Sequence, residues 1–301
     1  MFRQFAQVKV RVALAVLIVV VGGLVAVVVN SGSGTDEWRA DCASAPVASA
    51  ESRAGAIAEA RKALLSRGND PRLGIEVVDL DACVVEMSWK GDQTWPTASV
   101  VKLLIVLDLL DRAGVPSDDE ATAVHDMLAR SDDSIASRLW QQNGGPDIVR
   151  RQVTKLGLAH TSPPADAGRW GSTQMSPADV VTVYRHITSE LSEEERAFVT
   201  DAMQSTPRTA ADGFDQHFGI PRAFPGAVWA VKQGWGSSEG KRVLNTTGLI
   251  RTGFHTFAVA VMASWNEAVD WETARSALTT ATTAVRDGLT AGGSAAVADG
   301  H

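Results

Sequence analysis

The sequence predicts an α+β protein: an α/β/α sandwich built on one antiparallel five-stranded sheet, with an all-helical subdomain. Three observations lead there. Strand-like patterns occur in two groups, one early and one late; a helical pattern lies outside each group; and the long stretch between them reads as successive helices broken at Gly, Pro and Asp clusters. The order is helix, two strands, a block of helices, three strands, helix, so the sheet is assembled from both ends of the chain. With 301 residues, 45% hydrophobic and 21% charged, the chain can bury a large core and is not a disordered polymer.

The first helix is expected over 48–66, where Ala56, Ile57, Ala60, Leu64 and Leu65 recur at helical spacing before Arg67-Gly68-Asn69-Asp70-Pro71 stops it. Leu73 to Leu80 and Cys83 to Trp89 read as a hairpin around Asp79-Leu80-Asp81. A buried helix follows from Ser99 to about Gly114. Three more helical patterns run from Asp118 to Leu156, divided at Ser131-Asp132-Asp133-Ser134 and Asn143-Gly144-Gly145-Pro146. The span from Gly157 to Met175 has no period, and loops of that length in a compact domain are usually functional or mobile. Ser176-Pro177 and Ser192-Glu193-Glu194-Glu195 each start a helix. Strands return at Val228 to Gly234, Arg242 to Ile250 and Phe254 to Trp265, and a helix from about Asp270 to Leu289 closes the fold.

Residues 1–30 stand apart. Arg3, Lys9 and Arg11 precede Val12 to Val29, eighteen residues without a polar side chain, long enough to cross a bilayer. The basic flank places the N-terminus in the cytoplasm and the rest of the chain outside. A cleaved signal peptide is the alternative, giving a secreted protein, but this apolar run exceeds the usual length and no small-x-small site follows it directly. The expected organisation is a short tail and membrane anchor over 1–30, a linker over 31–47, one domain over 48–290 with its helical insert over about 99–227, and a disordered tail over 291–301.

The net charge is −7, and all 35 acidic residues follow Gly34, which argues against nucleic acid or an anionic lipid surface as the main partner. Two cysteines, Cys42 and Cys83, suffice for one disulfide in an exported chain, tying the linker to the first hairpin. The six histidines are scattered without paired spacing, so no metal and no cofactor are expected.

One stretch carries chemistry. From Ser99 to Leu107 every residue but Ser99 and Lys102 is apolar, the pattern of a helix buried on all sides. A lysine there must find a partner or lose its proton. Ser99, three residues earlier, lies on the same face at the helix N-terminus, where free backbone N–H groups favour a developing anion. A hydroxyl, a desolvated amine and oxyanion donors make an acyl-transfer nucleophile. Alternatively, Ser99 caps the helix and Lys102 reaches its rim.

Two further stretches decide between these readings. Ser131-Asp132-Asp133 lies between helices, and Lys232-Gln233-Gly234, followed by Trp235, ends a strand. With Ser99-x-x-Lys102 they resemble, in order and context, the Ser-x-x-Lys, Ser-Asp-Asn and Lys-Thr-Gly set of penicillin-binding proteins and class A β-lactamases. The resemblance extends from about Ala48 to Leu289 and includes Ser176-Pro177-Ala178-Asp179 after the long loop. It implies a β-lactamase/transpeptidase-like fold and a serine hydrolase or acyl transferase acting outside the cytoplasm on β-lactams or cell-wall D-Ala-type peptides, as a monomer. Carried over by position, Ser99 is the nucleophile, Lys102 its base, and Ser131 the proton relay to the leaving nitrogen. Lys232, with Gln233 and Gly234, holds the substrate carboxylate. The N–H groups of Ser99 and Trp235 form the oxyanion hole.

Three departures bear on turnover. Asp133 replaces an amide donor with an acceptor, which would repel a penicillin side-chain carbonyl or pair with Lys102 and hold it charged. Gln233 replaces a small hydroxyl. No glutamate occurs between Leu156 and Ser189 to activate the deacylating water, and Asp166 is the sole acid from Gly157 to Met175. A catalytically weak relative that binds cell-wall peptide or a partner protein is therefore the alternative function.

Overall fold

A computed structural model describes residues 15–21, 24–30, 38, 48–66, 70–253 and 255–290. The chain divides into two compact units, Met1–Glu37 and Trp38–His301. In the first, β1 (Ala15–Val21) pairs antiparallel with β2 (Leu24–Asn30). The sequence suggests a membrane-spanning segment over Val12 to Val29, and here its described residues form paired strands; among the described residues no helix is long and apolar enough to cross a membrane. The segment is rich in Val, whose branched Cβ favours strands, and an apolar run without a polar face carries no period to choose helix over strand.

The second unit opens with α1 (Ala50–Leu65), whose N-cap Ser49 accepts from the N–H of Ser52. Strands β3 (Arg72–Asp79) and β4 (Val84–Trp89) form the expected hairpin. Asp79 organises its turn: Oδ1 accepts from the N–H groups of Asp81 and Ala82, and Oδ2 lies 2.6 Å from His255 Nδ1. Cys83 is disulfide-bonded, and the chain's other cysteine, Cys42, lies outside the described residues. The helical block comprises α2 (Lys102–Ala113), α3 (Asp118–Ala129), α4 (Asp133–Gln142), α5 (Pro146–Leu156), α6 (Pro177–Ser189), α7 (Glu193–Gln204) and the short α8 (Ile220–Ala223). Ser176 caps α6, and Ser192 with Glu195 forms a reciprocal capping box on α7. Two-residue strands β5 (Trp95–Pro96) and β6 (Gln174–Met175), too short to leave a pattern, pair across the block. Strands β7 (Val228–Ser238) and β8 (Lys241–Thr252) run longer than the sequence suggests, β9 (His255–Asn266) keeps the expected length one residue later, and α9 (Trp271–Thr290) closes the fold. The expected linker over 31–47 and tail over 291–301 fall outside the described residues, save Trp38.

The sheet is antiparallel with order β4-β3-β9-β8-β7. Both faces are covered. Along β9, Phe257, Val259, Val261, Ala263 and Trp265 join one core cluster with α1 and α9, while Ala258, Ala260 and Met262 join a second with the helical block. This two-residue alternation makes three layers. It also sorts β7: Ala230 faces the helical block and Val231 faces α9, so Lys232 and Gly234 are carried toward the block. β7 is an edge strand, which leaves one side of its backbone open.

Candidate active site

The Ser99 turn is clamped from several sides. Thr97 N–H donates to the Thr173 carbonyl, and Asn245 Nδ2 donates to the carbonyls of Pro96 (2.9 Å) and Thr97 (3.0 Å). Ala98 sits at φ +46°, a strained left-handed conformation for a residue with a Cβ. Residues Ala98–Val101 form a 3₁₀ turn before α2 begins at Lys102, where the sequence suggested one continuous α-helix from Ser99. A 3₁₀ turn has three residues per revolution, so Ser99 and Lys102 fall in line along its axis. Gly234 makes this packing possible: a Cβ there would lie 2.5 Å from the Thr97 carbonyl oxygen.

Lys102 is fully buried. Its Nζ donates to the Ser131 carbonyl (2.7 Å), Ser131 Oγ (3.2 Å) and Asp133 Oδ1 (2.6 Å), and lies 5.0 Å from the centre of the Trp170 ring. Burial pulls the amine's pKa below the usual lysine value, and the Asp133 carboxylate works against that pull. The pairing is the second of the two outcomes expected for Asp133. Asp133 is at the start of α4, where the helix dipole favours an anion, and its side chain is 66% exposed. Ser131 is held at φ +57°.

Lys232 is buried to 1% exposure, and its Nζ donates to Ser131 Oγ (2.8 Å) and the Gln233 carbonyl (3.2 Å). Among the described residues no carboxylate lies within ion-pairing distance of it. Burial, and then the neighbouring Lys102 cation, push its pKa well below the ordinary value. The two lysines thus converge on one hydroxyl, Ser131 Oγ. On the open side of β7, the Val231 carbonyl accepts from Thr206 Oγ1 and the Gln233 carbonyl from Lys232, whereas the Lys232 carbonyl accepts from Thr247 Oγ1 of the paired strand. By the same alternation the Trp235 N–H turns to the open side.

One expectation needs correction. Gln233 Nε2 donates to the carbonyls of Gln216 (3.0 Å) and Phe218 (2.6 Å), so its donors are spent within the fold and cannot reach a ligand carboxylate. Strand alternation puts it on the face opposite Lys232. The Trp235 indole likewise stacks on Phe214 (4.9 Å) and donates Nε1 to Asp212, leaving only its backbone for the cleft.

A cavity of about 200 Å³ opens beside Ser99, lined by Ala98, Asp133, Trp170, Trp235 and Ser237 among others. The long loop contributes Gly168 to Ser172 to it and no carboxylate. Asp166 instead accepts from the Gly168 N–H, in a turn lining an adjoining cavity that shares Pro96, Arg169, Ser172, Ser238 and Val243 with the first. The sequence reading missed Trp170 and Asn245. Trp170 sits in a loop without period, and Asn245 in a strand where its two donor contacts depend on tertiary packing alone. Among the described residues no cluster of His, Cys, Asp or Glu could hold a metal ion.

Comparison with known proteins bears on the fold and the family. The chain is 35% identical over 217 residues to the proposed lipoprotein LppW of Mycobacterium tuberculosis and of Mycobacterium bovis, covering 69% of this chain and 68% of LppW. Among solved structures, the TLA-3 extended-spectrum β-lactamase superposes with a TM-score of 0.67 at 18% identity, covering 79% of this chain and 99% of that one. A class A β-lactamase from Mycobacterium abscessus gives 0.63 at 20% identity, covering 77% and 98%. A variant of PBP-A, solved as its acyl-enzyme with penicillin G, gives 0.62 at 18% identity, covering 77% and 95%. These likenesses establish the fold. The sequence profile of the β-lactamase enzyme family matches residues 121–288, more than half of the chain. With the family profile and the LppW relationship added to that fold, the chain belongs to the β-lactamase enzyme family, whose members share the serine hydrolase-like architecture of β-lactamases and penicillin-binding proteins.

Proposed function

We propose that the protein is an extracytoplasmic serine acyl enzyme that takes the acyl group of β-lactams or cell-wall D-Ala-type peptides onto Ser99. The observation that carries this reading is the convergence of three separated sequence motifs: Lys102 and Lys232 both donate to Ser131 Oγ, beside the cavity that Ser99 lines. In the proposed step Ser99 Oγ attacks the substrate carbonyl carbon and its proton passes to the Lys102 amine once that amine has given up its own. The developing oxyanion takes the N–H groups of Ser99 and Trp235, a contact typically worth about 3 kcal/mol per donor. The C–N bond then breaks, and the leaving nitrogen receives a proton through Ser131. Lys232 has no anionic partner among the described residues and would pair with the substrate carboxylate.

The same geometry favours slow release of the acyl group. No loop carboxylate lines the cleft to activate water, and the one carboxylate that does, Asp133, is paired with Lys102. This supports a second reading, a weak or inactive relative that retains cell-wall peptide or partner binding. The apolar segment before Asn30 and the likeness to LppW support a location outside the cytoplasm at the membrane, with the domain over 48–290 beyond a linker.

Incubation with a labelled penicillin or a D-Ala-type peptide ester should add one acyl mass to Ser99 in the native chain and none in Ser99→Ala. A folded native chain that takes up no label from either reagent would refute the acyl-enzyme reading.

A further inference from the structure

Asp133 is the one carboxylate lining the Ser99 cavity, and its two oxygens have different surroundings. Oδ1 is 2.6 Å from Lys102 Nζ, while Oδ2 has no protein partner among the described residues, on a side chain that is 66% exposed. A carboxylate in that position presents an acceptor and negative charge to whatever lies beside Ser99. Arg169 is the cation among the residues lining the cavity, while Lys232, buried and donating to Ser131 Oγ, has no carboxylate within ion-pairing distance among the described residues. A ligand beside Ser99 therefore meets one anionic group, Asp133, with the Arg169 cation in the same lining, and Ser131 Oγ lies 2.8 Å from Lys232 Nζ and 3.2 Å from Lys102 Nζ.

Resting on the acyl-enzyme reading above, we infer that the preferred substrates are small zwitterionic dipeptide-like acyl donors. The free α-ammonium of the acyl residue pairs with Asp133 Oδ2, and the terminal carboxylate of the leaving residue pairs with Lys232. An N-acylated donor offers Asp133 one neutral N–H and brings a carbonyl oxygen close to the carboxylate, which is repulsive. A free α-ammonium instead offers three donors and a full positive charge. A bound ammonium also draws on the carboxylate that otherwise holds the Lys102 proton, so binding of the preferred substrate frees the amine to act as base.

The test uses the full-length chain carrying Ser99→Ala, so that binding is read without chemistry. D-alanyl-D-alanine and N-acetyl-D-alanyl-D-alanine are titrated by calorimetry into this protein and into the double variant Ser99→Ala/Asp133→Asn. The inference predicts that the free amine binds about tenfold more tightly than its acetylated form, and that Asp133→Asn removes or reverses this preference. Equal or tighter binding of the acetylated peptide to Ser99→Ala, an unchanged preference in the double variant, or no binding of either peptide would overturn it. Labelling of the native chain by a penicillin and by an unacylated D-alanyl ester is run in parallel: failure of both sinks the acyl-enzyme reading, whereas labelling by either leaves that reading standing whatever the peptide preference.

Discussion

The two faces of the sheet are built on opposite principles. Toward α1 and α9, the side chains of β3, β8 and β9 are mainly apolar, and Ile75, Val77, Val259, Val261 and Leu278 are fully excluded from water. Toward the helical block, the same sheet and its neighbours bury two lysines, hold Ser131 and Ala98 in left-handed conformations, and need a bare glycine at 234 to pack the Ser99 turn. The first face stabilises the fold; the second draws on that stability to keep charged and strained groups out of water. Damage to the first should therefore cost folding and spare the chemistry of whatever remains folded, while damage to the second should do the reverse.

The largest expected effect is on the apolar face. Leu278→Ala leaves a cavity between α9 and the sheet and should cost about 2–5 kcal/mol in denaturant unfolding, while penicillin labelling per folded molecule stays at the native level. A loss of labelling at full stability would break the comparison. On the cleft face, Gly234→Ala drives a methyl group into the Thr97 carbonyl and should cost about 1–3 kcal/mol together with a much larger loss of labelling rate.

Lys232→Met should abolish labelling yet raise stability by about 1–3 kcal/mol, because an apolar chain replaces an amine held in an unfavourable place. The pH dependence follows from the sign of the shift. The unfolded chain binds the Lys232 proton up to the ordinary value of 10.5, and the native state releases it well below that. Between the two values the unfolded state holds more protons, so native stability falls with falling pH and reaches its low plateau below the depressed value. The gain from Lys232→Met should thus be greatest below the depressed value and shrink toward pH 10.5; a gain independent of pH would contradict the burial penalty. The smallest effect is in Asp133→Asn. Losing the strongest influence that raises the Lys102 pKa, with Asp132 and Asp212 still contributing, should move the rising limb of the labelling rate to lower pH, and a limb that stays in place would remove Asp133 from control of the base.

Much of this division is legible in the sequence, because burial on one or two faces leaves a period and chemistry leaves an exception to it. Lys102 stands out as the single charge in an apolar run, and Ser192 to Glu195 announces its helix by a local bond pattern that tertiary packing leaves intact. The rest depends on distance in space. Asp133 could repel a ligand or grip Lys102, and only the approach of α4 to α2 selects the grip. Gln233 occupies a motif position, but the carbonyls of Gln216 and Phe218, fifteen or more residues away, take its amide. The Val-rich run before Asn30 has length but no period, so its sequence alone cannot choose between a helix and the strands Ala15–Val21 and Leu24–Asn30.

The most direct test is a pulse of labelled penicillin followed by its removal, with intact mass and peptide mapping over time. Acylation of the Ser99 hydroxyl in a cleft without a water-activating carboxylate predicts a single adduct, mapped to Ser99, that outlasts the chase. A folded chain left unmodified, or labelled elsewhere, would contradict the assignment of this cleft as an acyl-transfer site.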